Sequence, residues 1–437
     1  MSLQTTFNAS LTEIFRQGLP QKIAIALSGG VDSMCLTHLL QKSAKLLDKK
    51  IEIYPIMINH NLRPNSAQEV PIVQKELMKL GLHKNFLTKE LRFDELHNKD
   101  SFEEVARLKR YNAIHELCKP LGIRHILFGH HMDDQLETFV LRLLKNSGVF
   151  GLAGMNQVSK AFVDAPEKLN IVRPLLSATK SEIIQYCKDN DVQWVEDHTN
   201  HEEVAQRNIV RKWLNEHDDH KSETLSNFSK VQVFTKSIEN KVSKLMQEAQ
   251  IDQSQGTATI KLSNRQLEDN SDLVISRMLF KTLYPISPST NYHYSFNKLL
   301  NVTPRLYYDG TSFSLLQLQW DINKTSDGVE IQVSRQNPSE PIIQHVTVGP
   351  HTTSGPVLFD NIYWITIRND SDHAKDYSIK TLSKDDRQNF VELPQNFKYS
   401  QSKNLPVIID NSTNKVVGFA SDLDFVDCHV KENIYDC

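Results

Sequence analysis

At 437 residues the chain is too long for one ordinary domain, and two or three are expected. A hydrophobic content of 39% with 24% charged residues belongs to a globular protein with ample core, and no apolar run approaches the ~20 residues that span a bilayer, so no membrane role is expected. The net charge of −3 excludes a binder that holds nucleic acid through a global positive field; any RNA contact must come from local patches.

In chain order, Met1 to Gly18 lacks the apolar core of a signal peptide, and Glu13 beside a single Arg16 argues against a mitochondrial leader. The run Ile23-Ala24-Ile25-Ala26-Leu27 is short, continuous and apolar, which suits a strand buried on both faces of a parallel sheet. Leu36, Leu39, Leu40 and Leu47 then recur at helical spacing in a helix running from Met34. Between them lies Ser28-Gly29-Gly30-Val31-Asp32-Ser33. Two glycines let the backbone approach a ligand, and the helix start offers unpaired N–H groups, so a phosphate chain is the expected guest. No lysine lies between Lys22 and Lys42, so this is not a G-x-x-x-x-G-K-[ST] loop. Ser28, Ser33 and the backbone of Gly29, Gly30 and Val31 can hold a pyrophosphate, while Asp32 can hold the Mg²⁺ bridging the oxygens of ATP. That arrangement suits chemistry in which pyrophosphate leaves and AMP is transferred. The turn resembles the signature SGG-x-DS of the PP-loop (N-type) ATP pyrophosphatases.

A second strand is expected over Ile51–Asn59, delivering His60 and Arg63 to the loop at its C-terminal end, the edge where ligands sit in open α/β sheets. Ser66 with Glu69 reads as a capping box for a helix to Leu80, and a third strand is expected near 85–91. The helix opening at Asp100 carries Arg107, Arg110 and Tyr111, spaced to share a face that is either solvated surface or an anion-facing one. A fourth strand, Arg124–Phe128, ends at Gly129-His130-His131-Met132-Asp133-Asp134-Gln135-Leu136-Glu137. Helical spacing clusters Asp133, Asp134 and Glu137; acidic residues at a helix start also suit the dipole, but two histidines and three carboxylates exceed what capping requires. Zinc is the alternative reading of that cluster. A glycine-rich loop, Asn146–Met155, precedes the strand at Ile171–Leu176 and a helix starting at Ser177 or Thr179 and reaching Asn190. Arg207 and Arg211 follow, one helical turn apart.

Taken together, NHNLRPNS from Asn59, E-x-x-A-R-x-x-R-Y from Glu103, GHHMDDQLET from Gly129, GLAGM from Gly151, RPLL from Arg173, and W-x-ED-x-TN with RN-x-x-R from Trp194 resemble one PP-loop family, the tRNA(Ile)-lysidine synthetases, over about the first half of the chain. The resemblance implies an ATP-dependent, carbon–nitrogen bond-forming ligase. Such an enzyme adenylates the wobble cytidine of the CAU anticodon in an isoleucine tRNA precursor. It then joins free L-lysine to the ring, and the codon read changes from AUG to AUA. On that reading Asp32 and Asp134 hold Mg²⁺, and Arg107 or Arg207 neutralises the developing phosphate charge. Glu137 or a neighbouring carboxylate takes the proton of the lysine amine. His60, Arg63, Arg110, His130, His131, Asp133 and Arg211 face substrate, with Lys212 a further RNA-facing cation.

The expected fold class is α/β: a Rossmann-like parallel sheet over 1–215, then a mostly helical tRNA-binding domain over 216–325 and a small β-rich tRNA-binding domain over 341–437. Helix is read over Lys221–Gln250 and again over Leu262–Leu283; IIQHVTVG, NIYWITIR, LPVIID and KVVGFAS read as strands. From Glu330 onward there are 10 basic and 15 acidic residues, against 40 and 38 before it, so the last domain lacks a basic signature. A tRNA thiolase would be expected to present paired cysteines. Here Cys35, Cys118, Cys187, Cys428 and Cys437 stand far apart, which also points to a reducing cytoplasm. A non-catalytic tRNA-binding relative would be expected to lose Asp32, Ser33 or the Asp-Asp pair, all of which are present. The assembly is left open, a homodimer being one candidate.

Overall fold

The computed structural model describes residues 2–435 except 47–50, 60–65, 92–98, 162, 164, 196–205, 255, 309, 394–396 and 398, and leaves aside the side chains of 66–69, 99–104, 294, 400 and 401. The chain divides into two compact units, Met1–Thr235 and Lys236–Asp436.

In the first unit the elements follow as α1 (Leu3–Ile14), β1 (Lys22–Ala26), α2 (Val31–Leu46), β2 (Glu52–Asn59), α3 (Ser66–Leu80), β3 (Leu87–Glu90) and α4 (Lys99–Cys118). They continue as β4 (His125–Leu127), α5 (Met132–Leu144), α6 (Val149–Leu152), β5 (Val158–Lys160), β6 (Asn170–Val172), α7 (Lys180–Asp189) and α8 (Gln206–Glu216). The division between units falls within α9 (Asp218–Glu248).

The sheet order is β3-β2-β1-β4-β6-β5, parallel throughout except for the edge strand β5, which runs antiparallel to β6. Strand β5 is three half-buried residues, too short to carry a readable period. The alternation of β1 explains the layers. Ile23 and Ile25 pack with residues of α1, α2, α3 and α7, whereas Ala24 packs on the opposite face with Tyr111, Ile114 and Cys118 of α4. Chain order leaves β1 for β2 on one side and returns to β4 on the other. The crevice at the C-terminal ends of β1 and β4 is therefore the switch point where α/β sheets bind ligands. Helix α2 starts at Val31 rather than Met34, so Val31, Asp32 and Ser33 form its first turn. A third apolar cluster, Leu136, Phe139, Val210, Leu214 and Phe228, fastens α5, α8 and α9 together.

The second unit opens on an antiparallel sheet, β7-β8-β11-β10-β9, made by β7 (Gln250–Ser254), β8 (Thr257–Ser263), β9 (Thr311–Leu315), β10 (Leu318–Lys324) and β11 (Gly328–Arg335). Between β8 and β9 lie α10 (Asn264–Asp269), α11 (Asp272–Leu283) and α12 (Phe296–Leu300). The helical reading of Leu262–Leu283 is corrected at its start. Leu262 and Ser263 end β8, whose Ala258, Ile260 and Leu262 are buried in strand alternation. A window opened at Leu262 saw only the last two residues of that pattern. Ser263 then caps α10, its hydroxyl accepting from the Gln266 N–H at 3.2 Å.

Two four-stranded sheets follow. One is β12 (Ile343–Val348), β16 (Lys375–Thr381), β17 (Pro406–Asp410) and β18 (Lys415–Phe419). In the other, β13 (Thr352–Thr353), β14 (Val357–Phe359) and β19 (Val426–Val430) all pair with β15 (Tyr363–Asn369). The short helix α13 (Tyr399–Ser402) precedes β17. All four runs read as strands from sequence lie on these elements, at β12, β15, β17 and β18. Among the described residues no helix is long and apolar enough to cross a membrane.

Candidate active site

The turn after β1 is built as its residue types require. Gly29 takes φ +84°, and its carbonyl accepts the Val195 N–H at 2.9 Å. The Ser33 hydroxyl donates to the Gly30 carbonyl at 3.0 Å and accepts the Ser28 N–H at 3.2 Å, holding the loop closed on the start of α2. Ser28 Oγ lies 3.1 Å from Ser33 Oγ. Gly129, at the end of β4, passes so close that a Cβ there would stand 2.9 Å from the Asp32 backbone. Only glycine lets the two strand ends converge.

Asp32 meets a residue absent from the sequence reading. Lys180, first residue of α7, donates its ammonium to both Asp32 carboxylate oxygens at 2.7 and 2.8 Å, with both side chains about a third exposed. The loop lacks the lysine of a Walker-type turn; α7 brings one in across 148 residues of sequence. The available signal was positional: Lys180 follows the N-cap Thr179 on the helix after β6 and the RPLL turn, at the ligand-binding edge.

The GHHMDD stretch forms the facing wall. His131 is buried, with Nε2 3.5 Å from Asp32 Oδ1 and 3.5 Å from Asp134 Oδ2, and Nδ1 3.6 Å from Asp133 Oδ2. Burial opposes its charge, but Asp133, Asp134 and Asp32 together outweigh that and raise its pKa above the usual histidine value. Asp134 caps its own helix, accepting the His131 N–H at 3.0 Å, and its other oxygen accepts from Arg207 at 3.2 Å. Asp133 accepts the Lys180 N–H at 2.8 Å and the Lys221 ammonium at 2.6 Å. Burial works against its charge, yet the bonds from His131, Lys221 and the Lys180 backbone hold its carboxyl well below the usual range. Asp134 is likewise lowered against burial, by His131, Arg207 and His130.

Glu137 is 2% exposed and lies between two guanidinium groups: Arg207 Nε donates at 2.7 Å, Arg211 Nε at 2.6 Å. Arg207 and Arg211 thus occupy the inner face of α8, one turn apart, as their spacing implied. With its oxygens engaged this way, Glu137 serves the geometry of the two arginines.

His130 stacks on Phe128 with the rings 7° from parallel and 5.6 Å apart. Burial first, then Arg173, Arg207 and Arg110, push its pKa down to about 4, against the pull of Asp134. Arg110 lies over the rings of Tyr111 and Phe128, and Arg107 is exposed on α4. The glycine-rich stretch contains the short helix α6. Gln135 holds it by donating to the Met155 carbonyl and accepting the Met155 N–H, at 2.8 and 2.6 Å. His60 and Arg63, and the Glu196–Asn200 motif, lie outside the described residues.

The candidate Mg²⁺ donors can be tested on this geometry. Asp32 Oδ1 and Asp134 Oδ2 each stand 3.5 Å from the same ring nitrogen of His131, so the two carboxylates approach one another across that imidazole. Among the described residues no group of three or more His, Cys, Asp or Glu side chains is arranged to hold a metal. Two hard carboxylates completed by phosphate oxygens and water fit the habit of Mg²⁺.

Residues 3–218 match the PP-loop domain family. The chain is 37% identical over 198 residues to a tRNA(Ile)-lysidine synthase of Wolbachia pipientis wMel, covering 45% of this chain and 44% of that one. It is 39% identical over 193 residues to one from Rickettsia bellii, covering 44% and 42%. The chain therefore spans less than half the length of these curated relatives. A probable tRNA(Ile)-lysidine synthase of Schizosaccharomyces pombe matches over 372 residues at 27% identity, covering 82% of this chain and 80% of that one. With its glycine turn at the switch point of the sheet and this match, residues 3–218 form a PP-loop domain.

Proposed function

We propose that this chain is a tRNA(Ile)-lysidine synthase. ATP and a tRNA(Ile) precursor with a CAU anticodon meet at the C-terminal ends of β1 and β4; L-lysine is the second substrate, AMP and pyrophosphate the by-products. The observation that carries this reading is the convergence at one sheet edge of a pyrophosphate-type turn, a lysine on Asp32, and carboxylates paired with arginines.

In the first half-reaction the ring carbonyl oxygen of cytidine attacks the α-phosphorus while the bond to the β-phosphate breaks. The nucleophile is poor, so catalysis is positioning and charge neutralisation. The turn over Ser28–Ser33 receives the leaving pyrophosphate, with Lys180 free to move from Asp32 to a phosphate oxygen. Arg207 and Arg107 face the developing charge. A Mg²⁺ ion, when bound, supplies further neutralisation of the phosphate oxygens, and Asp32 and Asp134 are the residues that would hold it.

In the second half-reaction the lysine ε-amine attacks the activated ring carbon, AMP leaves, and a proton must be removed from the nitrogen. An amine of pKa near 10.4 is neutral at pH 7 at a cost of roughly 4–5 kcal/mol, so a carboxylate must bind the ammonium and accept its proton. Glu137 or a neighbouring carboxylate, Asp133 or Asp134, is assigned that role, each of them already lying against a cation. An anticodon loop presents its base without a duplex to open. Basic side chains on the sheet-edge loops and on 216–325 are assigned to the RNA. The net acidic segment 341–437 is assigned the acceptor-stem role held by the C-terminal modules of longer family members. A cytoplasmic enzyme, as a monomer or homodimer, completes the reading.

The test is incubation with ATP, Mg²⁺, labelled lysine and total tRNA. Label entering one isoleucine tRNA is expected. Pyrophosphate release with no label in any tRNA would assign a different nucleophile.

A further inference from the structure

Each site carboxylate described above has a cation: Asp32 has Lys180, Asp133 has Lys221, and Asp134 and Glu137 share Arg207 and Arg211. A second group of arginines, on residues 151–159, shows no such pairing among the described residues. Arg142 of α5 is half-buried and donates to the carbonyls of Gly151 and Gly154 at 2.5 and 2.7 Å. Arg173, just after β6, is 8% exposed and donates through one nitrogen to the Asn156 carbonyl at 2.8 Å and to Ser159 Oγ at 2.9 Å. Its Nε is buried without a partner, as is that of Arg110. Arg107 repels both Arg142 and Arg173. Among the described residues none of these arginines forms an ion pair with a carboxylate.

Guanidinium groups held away from water are expensive without a counter-charge, each uncompensated charge costing several kcal/mol, so two of them on the same stretch, residues 151–159, with no carboxylate partner among the described residues, suit an incoming anion. We propose that Arg142 and Arg173 form the seat of the α-carboxylate of the free amino acid, an inference that rests on the ligase reading above. Backbone phosphates of RNA ride at the surface, and the nucleotide phosphates belong to the turn after β1. The free amino acid is the one anionic substrate small enough to reach a guanidinium only 8% exposed. Lysine is also bipolar, with about 7 Å of chain between its charged ends by ordinary bond lengths. His130 feels Asp134 as well as Arg173 and Arg110. Its ring, flat on Phe128, gives the aliphatic stem an uncharged wall between the two poles.

The test compares L-lysine with cadaverine, which keeps the amine and lacks the carboxylate, in the full-length protein and in Arg142→Gln, Arg173→Gln and Arg173→Lys. The unaltered protein is expected to prefer lysine at least 100-fold in kcat/KM. Either glutamine variant is expected to cut that preference below 10-fold by raising the KM for lysine at least 10-fold. Cadaverine transfer and tRNA-dependent pyrophosphate release without amine should stay within about 3-fold, and Arg173→Lys should recover part of the preference. The preference is a ratio within one sample, so partial misfolding does not imitate its loss. An unchanged preference in both glutamine variants would overturn the proposal. So would a fall in pyrophosphate release equal to the fall in lysine transfer, which would make the cluster a phosphate seat. Absence of pyrophosphate release from the unaltered protein would instead remove the ligase reading, and the proposal with it.

Discussion

Two closed ion pairs of the second unit contrast with the charge cluster of the first. In the second, Arg335 meets Asp360 in a two-pronged pair at 2.7 and 3.1 Å, and the guanidinium also donates to the Gln317 and Gln336 carbonyls. Lys380 meets Asp386, which also accepts from the Ser383 N–H and hydroxyl. Both pairs are closed, one cation to one anion with lone pairs filled. In the first unit, Glu137 is divided between two arginines, His131 stands among three carboxylates, and Arg142 and Arg173 pair with none among the described residues. A closed pair locks local geometry; a mismatched cluster is left ready for charges that arrive with a ligand.

Substitutions can break this contrast. Asp32→Asn should lower lysidine formation the most, by about 10²–10³-fold. Its melting temperature should barely move, because Asp32 is 31% exposed and its loss frees Lys180 to water. A thermal melt beside the lysine-transfer assay checks both halves. Asp360→Asn should do the reverse. Leaving Arg335, only 10% exposed, without its anion costs about 3–5 kcal/mol in a urea titration, while the activity of the folded fraction is unchanged.

The acid limb of stability sharpens the comparison. His130 is held near pKa 4 when folded against an ordinary 6.5, so between those values the unfolded chain takes up a proton that the folded one refuses. Stability should therefore fall as pH drops from 6.5 to 4, by on the order of 3 kcal/mol from this residue. His130→Gln should flatten that limb in urea midpoints taken at pH 7 and 4.5. Asp133 and Asp134, both lowered, contribute stability above the ordinary carboxylate range and lose it only as pH falls further. His131, raised, acts in the opposite direction: its contribution is complete below pH 6.5 and fades as pH rises through its folded pKa. The smallest effect is expected from Glu137→Gln, about 2 kcal/mol in stability, because Arg207 and Arg211 are a third exposed and can turn to water. A tenfold loss of transfer with unchanged pH dependence would fit its place as an anchor; a shift in the pH–rate profile would give the proton-acceptor role to it.

Much of this molecule was legible along the chain. The apolar run at β1, the Gly29–Gly30 turn, the helix after it and the acidic start of α5 depend on neighbours within a few residues, where steric rules and side-chain periodicity act directly. Arg207 and Arg211 declared a common face because 3.6 residues per turn leaves no other choice. Partners were another matter. No local pattern says that Lys180 closes on Asp32, that Glu137 is taken by α8, or that Arg142 and Arg173 hold the same stretch of chain. Those facts follow from strand order, which sets β4 beside β1 and β6 beside β4 and brings residues about 150 positions apart to one edge. Charge chemistry depends on distances of 3 or 4 Å in a desolvated place, so its assignment waited on the packing of the chain against itself.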